Sequence, residues 1–138
     1  ARPEIKENLA KCNRTLTRLT TKQMSEIFPD LPGAPSGWGT DNHYFYEIVN
    51  RTGDKVYIQL ALSAQNATGG FMELCDRVSA LSFVRPRRDG WKWWTAFRTE
   101  SVSIGESVDK EKIFEKLDQC MEQVRSFEEE LKQALDEA

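Results

Sequence analysis

Residues 43–50 (His-Tyr-Phe-Tyr-Glu-Ile-Val-Asn) and 55–62 (Lys-Val-Tyr-Ile-Gln-Leu-Ala-Leu) constrain the fold of this chain most. Both are rich in aromatic and β-branched residues, which suit a pleated, half-buried surface. In the second run Val56, Ile58, Leu60 and Leu62 alternate with Lys55, Tyr57, Gln59 and Ala61. A period of two gives one buried face and one more polar face. Arg51, Thr52, Gly53 and Asp54 lie between the runs and supply the glycine that a tight reversal needs. The pair is predicted to be an antiparallel hairpin.

Around it the periodicity switches to that of helices. Ile5, Leu9, Cys12, Leu16 and Leu19 recur at steps of four and three, which predicts an amphipathic helix over residues 3–20. A short helix is expected over 21–28, capped by Thr20 or Thr21 and stopped by Pro29. Residues 29–42 hold three prolines and three glycines and must be an irregular connection. Trp38 in its middle is read as pinning that loop onto the core, the alternative being a ligand-stacking role. Phe71, Leu74, Cys75, Val78 and Leu81 mark a further helix.

A third strand region is predicted over 91–104, with Trp91, Trp93, Thr95 and Phe97 on one face and a bulge or bend before Val102. The last helix is expected from Ser107 or Asp109 to about 137, roughly 40 Å long at 1.5 Å per residue. Its stripe runs through Ile113, Leu117, Met121, Val124, Phe127 or Glu128, Leu131 and Leu135. That length exceeds what the sheet requires, so its distal end either projects, pairs with the first helix or meets a second copy. The expected architecture is α+β: an antiparallel sheet of three or four strands packed by helices, in a single domain spanning 1–138. Within it lie a helical segment at 1–28, a hairpin-helix-strand core at 43–104 and a long helix at 107–137.

At 138 residues, with 39% hydrophobic and 30% charged residues, the composition is that of an ordinary globular domain. No apolar run approaches the roughly 18 residues that span a bilayer, and no basic-then-apolar leader opens the chain, so a cytoplasmic protein without a membrane partner is expected. The matches to the glycosylation pattern at Asn13, Asn50 and Asn66 are then fortuitous. Cys12, Cys75 and Cys120 are odd in number and lack CxxC spacing, which predicts buried free thiols.

Catalytic constellations are not recognisable. His43 is the sole histidine, so a triad, a Cys/His dyad or a His-based zinc site would hang on one residue in a strand. Glu47 is an acid flanked by apolar strand residues, and a lone carboxylate holds no metal; it is expected to be hydrogen-bonded and structural. No Walker loop, GxGxxG after a strand or GxSxG occurs. The chain is therefore expected to act by binding, with no catalytic residue, no metal and no cofactor.

Net charge is −3, but it is polarised: residues 109–137 carry net −5 and residues 1–28 net +3. The concentrated chemical feature is 85–98, with five bases, one acid and four aromatics. Cations that meet phosphates and rings that stack on bases suit nucleic acid. The contact surface expected on that reading is Arg85, Arg87, Arg88, Lys92, Trp94 and Arg98, extended by Lys11, Arg14 and Arg18. The competing reading makes Arg87 and Arg88 a solvated turn, Trp93 and Phe97 core, and Trp91 or Trp94 the cover of a sheet edge.

Ser36-Gly37-Trp38-Gly39, the aromatic run 44–50, the alternating run 56–62, Trp91-Lys92-Trp93-Trp94 and the helix from Asp109 occur in an order that resembles the C-terminal region of bacterial PD-(D/E)XK nuclease superfamily proteins. The likeness covers about a hundred residues and includes no catalytic motif. Glu-x-Lys occurs at Glu4 and Glu130 on expected helices, and Pro29-Asp30 precedes a loop, so the metal-binding strands would lie in an upstream part of a longer protein. The start without an initiator methionine fits an excised fragment, and processing or cloning would explain it as well. The resemblance implies a non-catalytic recognition or assembly module beside a nuclease. Partners would be nucleic acid, an upstream nuclease domain or a second copy bound through the acidic helix. A metal-dependent nuclease-like enzyme is the remaining alternative.

Overall fold

Described in a computed structural model are residues 16–50, 55–103 and 110–137, the side chains of Leu16 and of 110–113 aside. The elements run β1 (Leu16–Leu19), α1 (Lys22–Ile27), β2 (Tyr44–Asn50), β3 (Lys55–Ser63), α2 (Gly69–Ser79), β4 (Trp93–Arg98), β5 (Val102–Ser103) and α3 (Lys110–Asp136). The sheet is antiparallel in the order β1-β2-β3-β4, with β5 also paired to β3. The expected α+β class holds.

The hairpin forms as its alternation requires. Tyr44 pairs with Leu62, Tyr46 with Leu60 and Ile48 with Ile58, and these side chains make the inner face. Phe45 opposite Ala61 and Glu47 opposite Gln59 make the outer face. The turn at 51–54 lies outside the described residues. On the inner side α3 lays down Leu117, Met121, Val124, Phe127 and Leu131, all buried. Each such side chain contributes about 1.5–3 kcal/mol on burial.

Two expectations are overturned here. Leu16–Leu19 is not the end of a helix but an edge strand, in which Thr17 faces Ile48 and Leu19 faces Tyr46. The three-residue step from Leu16 to Leu19 fits a helical stripe, yet Thr17 and Leu19 together also fit a strand, and pairing with β2 decides between them. Residues 1–15, with Lys11 and Arg14, lie outside the described residues.

Nor do Trp93 and Phe97 share a face. The β3–β4 register shifts between Leu60 and Ala61, so Ala96 is inserted as a bulge: Trp94 opposes Leu62, Thr95 opposes Ala61, and Phe97 opposes Leu60. The extra residue inverts the alternation beyond it. Trp93 thus points outward, while Phe97 points inward and stacks on Phe127 with ring centroids 4.1 Å apart. Trp91 precedes the strand, and Ile104 lies outside the described residues.

The helices close as local chemistry dictates. The Thr21 side chain accepts from Met24 N to cap α1, and Thr68 accepts from Phe71 N to cap α2. The distal end of α3 does not project as an unpartnered stripe: Leu131 is buried, and Arg77 of α2 donates to the Leu135 carbonyl at 3.1 Å. Its apolar side packs on β3, and toward its distal end it also meets α1 and α2. Glu128, 3% exposed, accepts from Thr21 Oγ1 at 2.5 Å and from Tyr46 Oη at 2.7 Å. This joins α3 to β2 and to the β1–α1 junction. Burial raises the Glu128 carboxyl above the ordinary carboxylate range despite those donors, and burial with the nearby Glu128 charge holds Tyr46 well above a normal phenol. No helix among the described residues is long and apolar enough to cross a membrane.

Candidate functional site

Residues 85–98 fold back on themselves. Arg85 N donates to the Ala96 carbonyl at 2.9 Å, and Trp94 Nε1 donates to the Arg85 carbonyl at 2.9 Å. The loop turns at Gly90, whose φ of +68° favours glycine, and this sets Trp91 edge-on to Trp94 at 5.6 Å. Arg87 lies 5.6 Å from the centroids of both indoles and pairs with Asp76 of α2. Its Nη1 is buried without a hydrogen-bond partner. A recess of about 230 Å³ opens there, lined by Met72, Asp76, Arg87, Arg88, Asp89, Gly90 and Trp91.

The expected contact residues do not form one patch. Arg85, Arg88 and Lys92 are exposed and Arg87 is half-buried. Arg98 is exposed on the outer sheet face, where it lies 4.8 Å over the Tyr57 ring and donates to Gln59 Oε1 at 3.0 Å. Trp94 is 4% exposed, a core side chain whose indole N–H already has its acceptor, so its ring is not offered to a ligand. Trp93, expected in the core, is instead 46% exposed.

Trp93 belongs to a second constellation. Its ring lies 4.9 Å from Trp38, which meets Phe45 edge-on at 5.2 Å. The loop at 29–42 is tied beneath them by polar contacts: Ser63 Oγ to the Ser36 carbonyl at 2.7 Å, Asn66 Nδ2 to the Pro35 carbonyl at 2.8 Å, and His43 Nε2 with the Ala34 carbonyl at 2.8 Å. Trp38 therefore does pin its loop, but onto the outer sheet face. Arg18 sits 5.8 Å over the Trp38 ring and ion-pairs with Glu47 at 3.4 Å. No sequence period could have shown this grouping; the signal that was present is Gly37 beside Trp38.

The remaining candidates are structural. Both ring nitrogens of buried His43 face carbonyl oxygens, of Ser63 and Ala34. Glu47 is buried, accepts from Gln59 Nε2 at 3.0 Å and is neutralised by Arg18. Cys75 and Cys120 are buried free thiols; burial raises both, Cys75 to about 12. Cys12 lies outside the described residues. Among the described residues, no group of three or more His, Cys, Asp or Glu could hold a metal ion. A second, shallower depression of about 410 Å³ runs beside α3, with Phe83, Phe97 and Phe127 in it and Glu122 and Glu130 at its sides.

The class defined by this geometry is an α+β domain with one sheet face sealed by helices and the other carrying an aromatic cluster. No family model, no curated protein and no solved structure matches the chain.

Proposed function

We propose that this domain is a non-catalytic recognition module that contacts nucleic acid through the basic residues around β4, in a cytoplasmic protein and beside the nuclease that the sequence resemblance implies. The observation that carries the reading is Arg87. Its Nη2 is committed to Asp76, while Nη1 has no partner at the edge of a recess shared with Arg88. Nη1 itself is closed to solvent, so the groups that can offer a phosphate oxygen a charge-assisted bond are the accessible part of the Arg87 guanidinium and exposed Arg88. Arg88 lines the same recess, and Arg85 and Lys92 are exposed elsewhere in the segment, although the whole chain is acidic.

The test is a titration of labelled DNA and RNA oligonucleotides at low ionic strength. Binding is expected to weaken as salt rises, and Arg87→Ala or Arg88→Ala to lower the log–log salt slope by about 0.7–0.9 for each phosphate contact removed. Absence of binding at low salt overturns the reading. Assembly through α3 has one observation in its favour, the depression beside it with three phenylalanines and two acids. A strict monomer by light scattering across concentrations would remove self-association by that route.

A further inference from the structure

We infer that Trp93 is a stacking platform for an unpaired base, so that the nucleic acid taken by this domain is single-stranded; this rests on the reading just given. Trp93 is the exposed large hydrophobic side chain of the described residues. Nothing in the packing of the inner core calls for an indole at this outward position.

The ring is held in place before any ligand arrives. One side rests on Trp38 at 4.9 Å, and Trp38 in turn abuts buried Phe45. Gly37, with φ of +97°, passes so close that a Cβ there would sit 2.9 Å from Cη2 of Trp93 and 2.7 Å from Gln65 Oε1. The glycine thus lets the tied-down loop press against the indole. A ring already ordered by its neighbours loses little entropy when a base stacks on it.

Charge chooses the ligand. Exposed Lys92 directly precedes Trp93 in the chain, and exposed Arg98 lies further along the strand, roughly 17 Å from Trp93 at about 3.3 Å per residue. Glu47, the acid of β2 on this face, is buried and neutralised by Arg18. Exposed cations before and after an exposed indole match a phosphate backbone whose bases turn toward the protein. A duplex keeps the faces of its bases stacked on one another, so it would meet the cations but leave the indole unused. The accessible part of the face is the Trp93 end, because Val49 and Tyr57 toward the other end are buried.

The experiment compares one mixed-sequence oligonucleotide as a labelled single strand and as a blunt duplex, titrated with the full chain at low salt. The single strand is expected to bind more tightly, and Trp93→Ala to weaken it about 5- to 150-fold, as loss of one stacked base does. Trp93→Phe should keep most of the affinity. Trp93→Leu, apolar but without a π-face, should behave like Trp93→Ala, and both should retain the wild-type circular dichroism spectrum. Equal affinity for duplex and single strand, or unchanged single-strand affinity in Trp93→Leu, overturns the platform; the basic surface survives if Arg87→Ala still weakens binding. Binding of neither form removes both.

Discussion

On the inner face of the sheet, Tyr44, Tyr46, Ile58, Leu60 and Leu62 are fully buried beneath α3 and its neighbours, and the carboxyl that enters there, Glu128, is met by two hydroxyl donors. On the outer face Trp38, Phe45 and Trp93 cluster without a helix over them among the described residues, beside an arginine-glutamate pair. The difference is one of purpose as well as polarity. Inner residues are chosen for volume and are interchangeable only at a cost in stability. The outer indole is held by a loop whose own conformation depends on a glycine, an arrangement that stability alone does not require.

The sharpest way to break this contrast is truncation on each face. Leu60→Ala, at a fully buried position, is expected to cost about 2–5 kcal/mol in denaturant unfolding. Trp93→Ala is expected to cost less, about 0.5–1.5 kcal/mol, the scale of one lost aromatic contact at a half-exposed position. Equal losses would mean that Trp93 is merely packing.

A smaller effect should come from Glu128. Its carboxyl is raised in the folded state, so the neutral form is favoured by folding. The stability it contributes is full below the ordinary carboxylate pKa and is lost as pH rises through the raised folded value. The wild type should therefore gain stability relative to Glu128→Gln as pH falls through that window, read from unfolding midpoints at several pH values. A difference independent of pH would show that the carboxyl is not held as the packing implies.

The smallest effect concerns thiol reactivity. In a Cys12→Ser background, Cys75 and Cys120 should react with a thiol reagent at mildly alkaline pH only once the protein is unfolded, because burial disfavours both thiolates. Rapid labelling of the native protein would reveal local opening of the inner layer.

Much of the inner layer was legible in the sequence. Val56, Ile58, Leu60 and Leu62 announced their face by alternation, and the stripe of α3 announced its own. The outer layer was not. Leu16 and Leu19 sit at a helical spacing, whereas the pair that shares a strand face is Thr17 and Leu19, so β1 emerges only from its pairing with β2. A single extra residue, Ala96, exchanged the expected places of Trp93 and Trp94, and no local rule predicts where a bulge falls. The contact of Gly37 with Trp93 joins residues far apart along the chain, beyond the reach of any periodicity.

The bond from Thr21 to Glu128 spans 107 positions. During synthesis the hairpin is made before the helix that covers it. The apolar side of the sheet then has no lid, and a nascent chain at that stage exposes surface prone to aggregate. Folding of this domain is accordingly a late event that awaits α3, and its rate should reflect a high proportion of distant pairings more than the speed of any one helix.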